Sequence, residues 1–244
     1  MLFSRGYSII IFMKKKLAFI ILALLSCTIL SACNVIKNSA EWDKMIDKTI
    51  TALTSPNANF TMNSDVEYAF DGTSSSGKGK VVCAGNKMMV QTTSTGQIAE
   101  TNYSQDISYR YLDSAGGTLY SYDYDDASGQ YIRYKGTATD DSLMPASNSF
   151  IIFLQSLKGK FGFFQYAHGQ YSVPDTDLAD FTSAMQDPQG SDASNNTRYS
   201  IKVKAGKLSK ISMAGTDSDE VTNLSYTFTY GGAKVTLPTN YVDG

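Results

Sequence analysis

Apolar residues recur every three or four positions between residues 42 and 53, which is the spacing of one face of an α-helix. Asn38 and Glu41 fit an N-cap followed by an acidic residue in the first turn, and Pro56 ends the run. A helix with one apolar stripe must bury that stripe against another element. The pattern therefore predicts an amphipathic helix whose buried face carries Trp42, Met45, Ile46, Ile50 and Leu53.

Most of the remaining chain alternates apolar and polar residues, which predicts β-strands. The first strand runs from Phe60 to Phe70, and a turn is expected over 71–77. A hairpin is expected to join 80–84 to 87–93 around Gly85 and Asn86. Such short turns join antiparallel neighbours, so the pattern predicts a meander. The other predicted strands are 97–104, 106–113, 117–124, 130–136, 199–203, 208–213, 224–230 and 233–237, the last ended by Pro238.

Residues 145–190 interrupt this strand pattern. The run 150–157 predicts a short helix without a polar face, which must be buried or face lipid; a buried strand has the same composition and stays an alternative. A strand is expected over 161–166, a turn at His168, and a second short helix after Asp175. The side chains of this insert that are expected to line any ligand cavity are Phe150, Phe153, Leu154, Leu157, Phe161, Phe163 and Phe164.

The beginning of the chain has the features of an export signal. Three lysines at 14–16 precede a short apolar run at 17–25, and this order favours Met13 as the true start. Leu30-Ser31-Ala32-Cys33 then resembles the lipobox of bacterial lipoproteins. The resemblance implies cleavage before Cys33 and a lipid on its sulfur; an ordinary signal peptide is the alternative. We therefore expect a signal peptide at 1–32, a lipidated tether at 33–38, and an anchor on the extracytoplasmic face of the cell membrane.

Composition after cleavage argues against a nucleic-acid partner. Removal of residues 1–32 takes away four basic and no acidic residues, which leaves 17 basic and 23 acidic residues. This mildly acidic chain offers no basic patch for phosphates. Cys83 is then the one cysteine besides Cys33, so no internal disulfide is expected, and Cys83 is interpreted as a small buried side chain on a strand.

The sequence contains no motif that predicts catalysis. His168 is the only histidine and lies at an expected turn. The acidic stretch 123–129 has oxygen ligands near a glycine but lacks the spacing of a calcium-binding loop. We find no phosphate loop, no nucleophile elbow and no metal-ligand spacing, so neither an enzyme nor a cofactor is expected.

The order of the elements from the lipobox onward, with a single domain at 39–244, resembles the LolA/LppX-like group of bacterial lipoproteins and lipoprotein carriers. The shared layout is a lipobox, a short tether, an amphipathic helix, a long antiparallel meander, a helical insert, and a last strand at the end of the chain. The resemblance implies an α+β fold: a curved, mostly antiparallel meander sheet that forms an incomplete β-barrel, with the N-terminal helix and the short insert packed on it as one domain.

Two functional hypotheses follow. The first is a non-enzymatic binding module that holds an apolar or amphipathic, lipid-like ligand in the concave face of the sheet. The second is an interaction protein with a solid core that contacts cell-wall glycan or a partner protein through tyrosines. Eight of the 16 tyrosines lie between Tyr103 and Tyr134, although tyrosine also suits any half-buried sheet surface.

Overall fold

The computed structural model describes residues 35–70, 73–98, 101–102, 106–137, 148–185, 197–217 and 220–244. The chain divides into two compact units, Met1–Ile36 and Lys37–Gly244. Nearly all of the first unit, including Cys33 and the expected signal peptide, lies outside the described residues. No helix in the described residues is long and apolar enough to cross a membrane. The second unit has its own core, and we expect it to fold by itself.

Three α-helices lie in the described part of this unit. Helix α1 is Ser39–Thr54, and Asn38 caps it, because the Asn38 side-chain oxygen accepts a hydrogen bond of 2.9 Å from the Glu41 backbone N–H. The predicted amphipathic helix is therefore confirmed. Helix α2 is Asn148–Ser156 and helix α3 is Leu178–Met185. Single 3₁₀ turns occur at Phe161–Phe163 and Asp175–Asp177.

The strands form a single open sheet. Their bounds are β1 Asn59–Phe70, β2 Thr73–Ala84, β3 Lys87–Ile98, β4 Thr101–Asn102, β5 Asp106–Ala115, β6 Thr118–Asp125, β7 Gln130–Thr137, β8 Gln165–Ala167, β9 Gln170–Ser172, β10 Arg198–Lys204, β11 Lys207–Asp217, β12 Glu220–Tyr230 and β13 Tyr241–Asp243. The order across the sheet is β13-β7-β6-β5-β3-β2-β1-β12-β11-β10-β9-β8, and β4 also pairs with β3.

This order consists of two meanders that meet side by side. The first meander runs from β1 in the middle of the sheet to β7 near one edge. The second runs from β8 at the other edge back to β12, so that β1 pairs with β12 along its length. All pairs are antiparallel except β13 with β7. The predicted α+β fold is confirmed: a curved, mostly antiparallel sheet forms an incomplete barrel with the N-terminal helix and the insert packed on it.

The helices pack on one face of the sheet, which we call the helix face and which carries Phe60, Ile211 and Phe228. Buried Thr49 of α1 ties the helix to this face, because its hydroxyl accepts a hydrogen bond of 2.9 Å from the Leu208 N–H. The same hydroxyl donates to the Met45 carbonyl one turn earlier at 2.9 Å. Both hydrogen-bonding roles of this hydroxyl are thus used.

The end of the chain crosses the other face of the sheet as an extended strap, residues 231–240. At its start, the Asn59 side chain bonds both the N–H and the carbonyl of Ala233, at 2.8 and 3.1 Å. At its end, the Asn240 carbonyl accepts from the Tyr131 N–H at 3.1 Å, and β13 follows along β7. The predicted strand at 233–237 is therefore wrong. Its side chains alternate in burial as in a strand, but the segment lies over the sheet instead of in it.

Two other predicted boundaries are also wrong. Residues 73–77 were expected in a turn but belong to β2, where full-length pairing with β1 and β3 outweighs their weak strand propensity. Residues 161–166 were expected as one strand, but a 3₁₀ turn comes first and the strand begins only at Gln165. The turn places Phe161 against Trp42 and Phe163 against Phe181. The expected turn at 71–72 lies outside the described residues.

Candidate ligand-binding cavity

A cavity of about 550 Å³ lies between the helix face and the helices, next to the end of α1 and the beginning of α2. This volume is within the range of small-molecule sites, roughly 300–1,000 Å³. Both meanders contribute to the wall: β1, β2, β3, β5 and β6 from the first, and Tyr226 of β12 from the second. The cavity is therefore built by the curved sheet where the helices do not fill it.

The floor of the cavity is a row of apolar side chains that runs across four strands. Phe60 of β1 pairs with Cys83 of β2, Cys83 with Met88 of β3, and Met88 with Leu112 of β5. Directly paired residues point to the same face, so this row is continuous. Phe60, Cys83 and Leu112 are at most 6% exposed. Met62, Val81 and Leu119 extend the apolar surface on either side.

The helical side of the cavity is formed by the first turn of the described part of α2. Phe150 and Ile151 both line the space, and both are half-buried. The Phe150 ring is held by β12, since its centroid lies 4.8 Å from that of Tyr226 and 5.5 Å from that of Phe228. This aromatic contact holds the beginning of α2 against β12, so that the helix leaves the space toward β2 and β3 open.

Polar residues gather at one end of the cavity. Asn86 and Lys87 come from the β2–β3 turn, and Thr54 and Ser55 come from the end of α1. Ser114 at the end of β5 lies beside this turn, because its N–H donates to the Asn86 carbonyl at 2.8 Å. Thr54, Asn86 and Ser114 are exposed, whereas the floor is buried. The cavity is thus polar at its solvent-facing turn end and apolar beyond it.

The residues predicted to line a cavity divide between this space and the packed core. Phe150 lines the cavity, and Phe153 lies next to it with ring centroids 6.1 Å apart. The other five lie around α1 and α3. Leu154 and Leu157 are fully buried, Phe161 and Phe164 stack against Trp42, and Phe163 packs on Phe181. Trp42 completes this core by donating its indole N–H to the Leu157 carbonyl at 2.9 Å.

The lining strands of the first meander were not predicted as cavity walls. Their alternation marks a buried face, but a buried face that packs against a helix and one that borders a void have the same pattern. The sequence feature that could have identified these walls is which alternate residues of each strand share a face. Once the Gly85-Asn86 hairpin sets the register, one face carries Phe60, Cys83, Met88 and Leu112.

Cys83 is the thiol in the cavity floor. Its sulfur lies 3.6 Å from the Ala58 carbonyl oxygen and 3.8 Å from that of Gly85. Burial raises the pKa of this thiol, because the charged thiolate loses solvation. The expected buried cysteine on a strand is confirmed, and its chemistry is that of a neutral apolar group.

The tyrosine face is the surface opposite the helix face, and it carries Tyr109, Tyr111, Tyr120, Tyr122 and Tyr124. Its rings mostly contact each other: Tyr131 meets Tyr111 at 5.6 Å and Tyr124 at 5.1 Å between centroids. Burial, followed by the neighbouring tyrosine hydroxyls, raises the pKa of Tyr131 to about 12. Tyr122 is 6% exposed, and Tyr241 of β13 lies over it with ring centroids 5.3 Å apart. This face is largely self-packed.

The other candidates for chemistry are isolated surface groups. His168 is exposed in the β8–β9 turn with a φ of 51°. Asp125 accepts hydrogen bonds from Ser128 and Ala127, which lower its carboxyl pKa and close the turn that resembled a calcium loop. No group of three metal-ligating side chains occurs in the part of the chain that the structure describes.

No model of a known protein family matches the chain. No curated protein is significantly similar to it in sequence.

Proposed function

We propose that this protein is a non-enzymatic, membrane-anchored lipoprotein that binds a lipid-like ligand in the cavity between its curved sheet and its helices. The lipid on Cys33 holds the domain at the extracytoplasmic face of the cell membrane. The cavity is the observation that carries the proposal, because apolar side chains of at least five strands and two helices form its wall.

The size of the apolar surface supports a ligand with an aliphatic part. The space of about 550 Å³ is lined mainly by apolar side chains and is large enough for a small amphiphilic ligand. Burying one methylene group contributes about 0.8 kcal/mol, and ten of them contribute about 8 kcal/mol before the cost of association. If about 8 kcal/mol remains after the cost of association, the dissociation constant is about 1 μM.

The tyrosine face gives less support for the glycan-binding alternative. Stacking on a sugar requires an aromatic ring that presents its face to solvent. Tyr122 is covered by Tyr241, and Tyr131 contacts both Tyr111 and Tyr124, of which Tyr124 remains 39% exposed. No observation on this face requires an external partner.

Binding of a neutral apolar probe to the domain 34–244 tests the proposal. N-phenylnaphthylamine, whose fluorescence rises in apolar surroundings, is expected to bind saturably at one site with micromolar affinity. Met88→Trp fills the cavity and is expected to weaken this binding at least about tenfold.

Met89→Trp is the matched control, because Met89 is the next residue of β3 and points to the tyrosine face. The control is expected to bind the probe like the native domain. Val81→Phe provides a second way to fill the space if Met88→Trp does not fold, with circular dichroism as the check. The proposal is wrong if the native domain shows no saturable binding, or if folded cavity-filling variants bind as well as the control.

A further inference from the structure

The end of the domain that joins the expected tether carries aromatic side chains that are only partly covered. The tether, residues 33–38, ends at Asn38, which caps α1. An extended chain spans at most about 3.3–3.6 Å per residue, so these six residues reach about 20 Å. With a lipid on Cys33, the beginning of α1 stays within about that distance of the bilayer. The surface that then meets the bilayer depends on the membrane anchor of the proposed function, on which this inference rests.

The segment that follows α2 lies against the beginning of α1. Trp42, in the first turn of α1, donates its indole N–H to the Leu157 carbonyl at 2.9 Å. The Asp43 carboxylate accepts a hydrogen bond of 2.8 Å from the Gly159 N–H. The Phe161 ring lies on Trp42, with centroids 5.8 Å apart. The 3₁₀ turn that begins at Phe161 is therefore at the same end of the helix as the tether.

Tyr166 extends this aromatic surface to the edge of the sheet. It pairs directly with Tyr171 of β9, and the two ring centroids are 4.9 Å apart. Tyr171 also contacts Trp42 and Phe161, at 5.6 and 6.4 Å between centroids. Tyr171 is buried, whereas Tyr166 remains 46% exposed on the edge strand β8. We call Tyr166, together with the half-buried Phe161 and Lys160, the tether-side surface.

The charges around the tether-side surface nearly cancel. Residues 37–47 and 158–166 contain four lysines and three carboxylates, which gives a net charge of +1 (4 minus 3). Lys158 forms an ion pair with Asp47 at 2.9 Å, and Glu41 accepts from the Lys37 N–H at 2.9 Å. Such a surface gains little from anionic lipids. Its contact with a bilayer therefore depends on its aromatic rings, which favour the head-group level of a membrane.

The cavity lies at the other end of α1. Leu53 and Thr54, the last residues of this helix, border the cavity. With a rise of about 1.5 Å per residue, the 16 residues of α1 span about 24 Å. A domain that rests on its tether-side surface therefore holds the cavity on the side away from the bilayer.

We propose that the tether-side surface rests on the head groups of the bilayer in which the lipid anchor is inserted, and that the β2–β3 turn end of the cavity then faces away from this bilayer. Phe161 and Tyr166 lie at the level of the head groups, and Lys160 extends its ammonium toward the lipid phosphates. A ligand then reaches the cavity from the side opposite the anchoring membrane.

A fluorescent label at single positions tests this proposal. The domain 34–244 carries an N-terminal hexahistidine tag in place of the lipid and is held on phosphatidylcholine vesicles that contain a nickel-chelating lipid. Cys83→Ala removes the native thiol, and nitrobenzoxadiazole is attached through Tyr166→Cys. Its emission is expected to shift to shorter wavelength on the vesicles and to be quenched by nitroxide-labelled lipids. Because the charges nearly cancel, the shift is expected to persist at high salt concentration.

Tyr134→Cys is the matched control, because Tyr134 is a tyrosine of similar exposure, 40%, on β7 near the opposite edge of the sheet. Asn86→Cys reports on the exposed turn end of the cavity. Neither of these labels is expected to respond to the vesicles. Lys160→Cys provides a second position on the tether-side surface if Tyr166→Cys does not fold, with circular dichroism as the check.

The outcomes separate this proposal from the proposed function. Equal shifts at all labelled positions would overturn the docking surface, and so would the absence of a shift at both Tyr166 and Lys160. A shift at Asn86 would overturn the orientation of the cavity. None of these results would change probe binding, which N-phenylnaphthylamine measures, or the lipid on Cys33, which mass spectrometry measures.

Discussion

Cys83 provides a direct readout of the cavity at the scale of a single residue. It is the only cysteine between residues 34 and 244, its side chain is 5% exposed, and it lies in the cavity floor. Since burial raises its thiol pKa above the usual value of 9.0, the thiolate fraction at neutral pH is small. We expect slow labelling by a thiol reagent, with a rate that keeps rising as the pH increases beyond 9.0.

A bound ligand should slow this labelling further, because it covers the sulfur. Saturating N-phenylnaphthylamine is expected to reduce the labelling rate of Cys83 by at least about tenfold at constant pH. The control is the double variant Cys83→Ala, Ala84→Cys, which moves the thiol to the neighbouring position on the other face of β2. A similar reduction in that variant would mean that the ligand acts on the whole domain instead of in the cavity.

Single residues also indicate how much of the site could be predicted from the sequence. Phe150 was identified because an all-apolar helix must face something apolar, and it does line the cavity. Leu154 and Leu157 carry the same signal, but they pack in the core beside Trp42. A residue of α2 faces the cavity or the packed core according to its position along the helix. This depends on where the helix crosses the sheet, which the amino-acid composition of the segment does not encode.

At the scale of elements, the attachment of α1 to the sheet depends on Thr49. Replacing it by Val keeps the shape and removes the hydroxyl that accepts from the Leu208 N–H. The buried N–H is then left without a partner, so we expect the free energy of unfolding to fall by about 1–3 kcal/mol. Chemical denaturation of the domain 34–244 measures this change.

Thr54→Val is the control for this prediction. The Thr54 hydroxyl donates to the carbonyl one turn earlier at 2.9 Å, as that of Thr49 does, but Thr54 is exposed and no sheet N–H donates to it in the described residues. We expect this change to cost less than about 0.5 kcal/mol. Equal effects of the two variants would show that the bond within the helix, and not the bond to Leu208, is what matters.

Elements with local signals were predicted, and those that depend on distant partners were not. The beginning and end of α1 follow from Asn38 and Pro56, and the β2–β3 hairpin follows from Gly85 and Asn86. The first residues of β2 lack apolar alternation and are held by neighbours on both sides. The strap at 231–240 has the alternation of a strand, but its position depends on Asn59, more than 170 residues earlier.

At the scale of the whole domain, the open sheet explains why a cavity forms at all. The first meander extends through five further neighbouring strands beyond β1, whereas α1 contacts mainly β1 and β11, on either side of β12. Helices that rest near the line where the meanders meet cannot also fill the space over β2, β3 and β5. The space is therefore a consequence of the topology, and its apolar wall is the surface that we propose binds a ligand.

The last prediction concerns the attachment of this domain to the membrane. The apolar run 17–25 is shorter than the roughly 20 residues that a spanning helix needs, so the membrane attachment that we propose requires another anchor. Each buried methylene contributes about 0.8 kcal/mol, and two or more acyl chains on Cys33 are sufficient for stable anchoring. We therefore expect Cys33→Ala to abolish lipid attachment, the cleavage before residue 33, and retention in the membrane fraction.

Cys27→Ala is the matched control, because it removes a thiol six residues earlier, within the expected signal peptide, and should leave all three unchanged. Mass spectrometry of the protein extracted from membranes of a bacterial host measures the lipid and the new N-terminus together. A Cys33→Ala protein that still appears in membranes at its mature mass would contradict the lipobox, since no other residue of that segment offers a thiol for the lipid at the cleavage site.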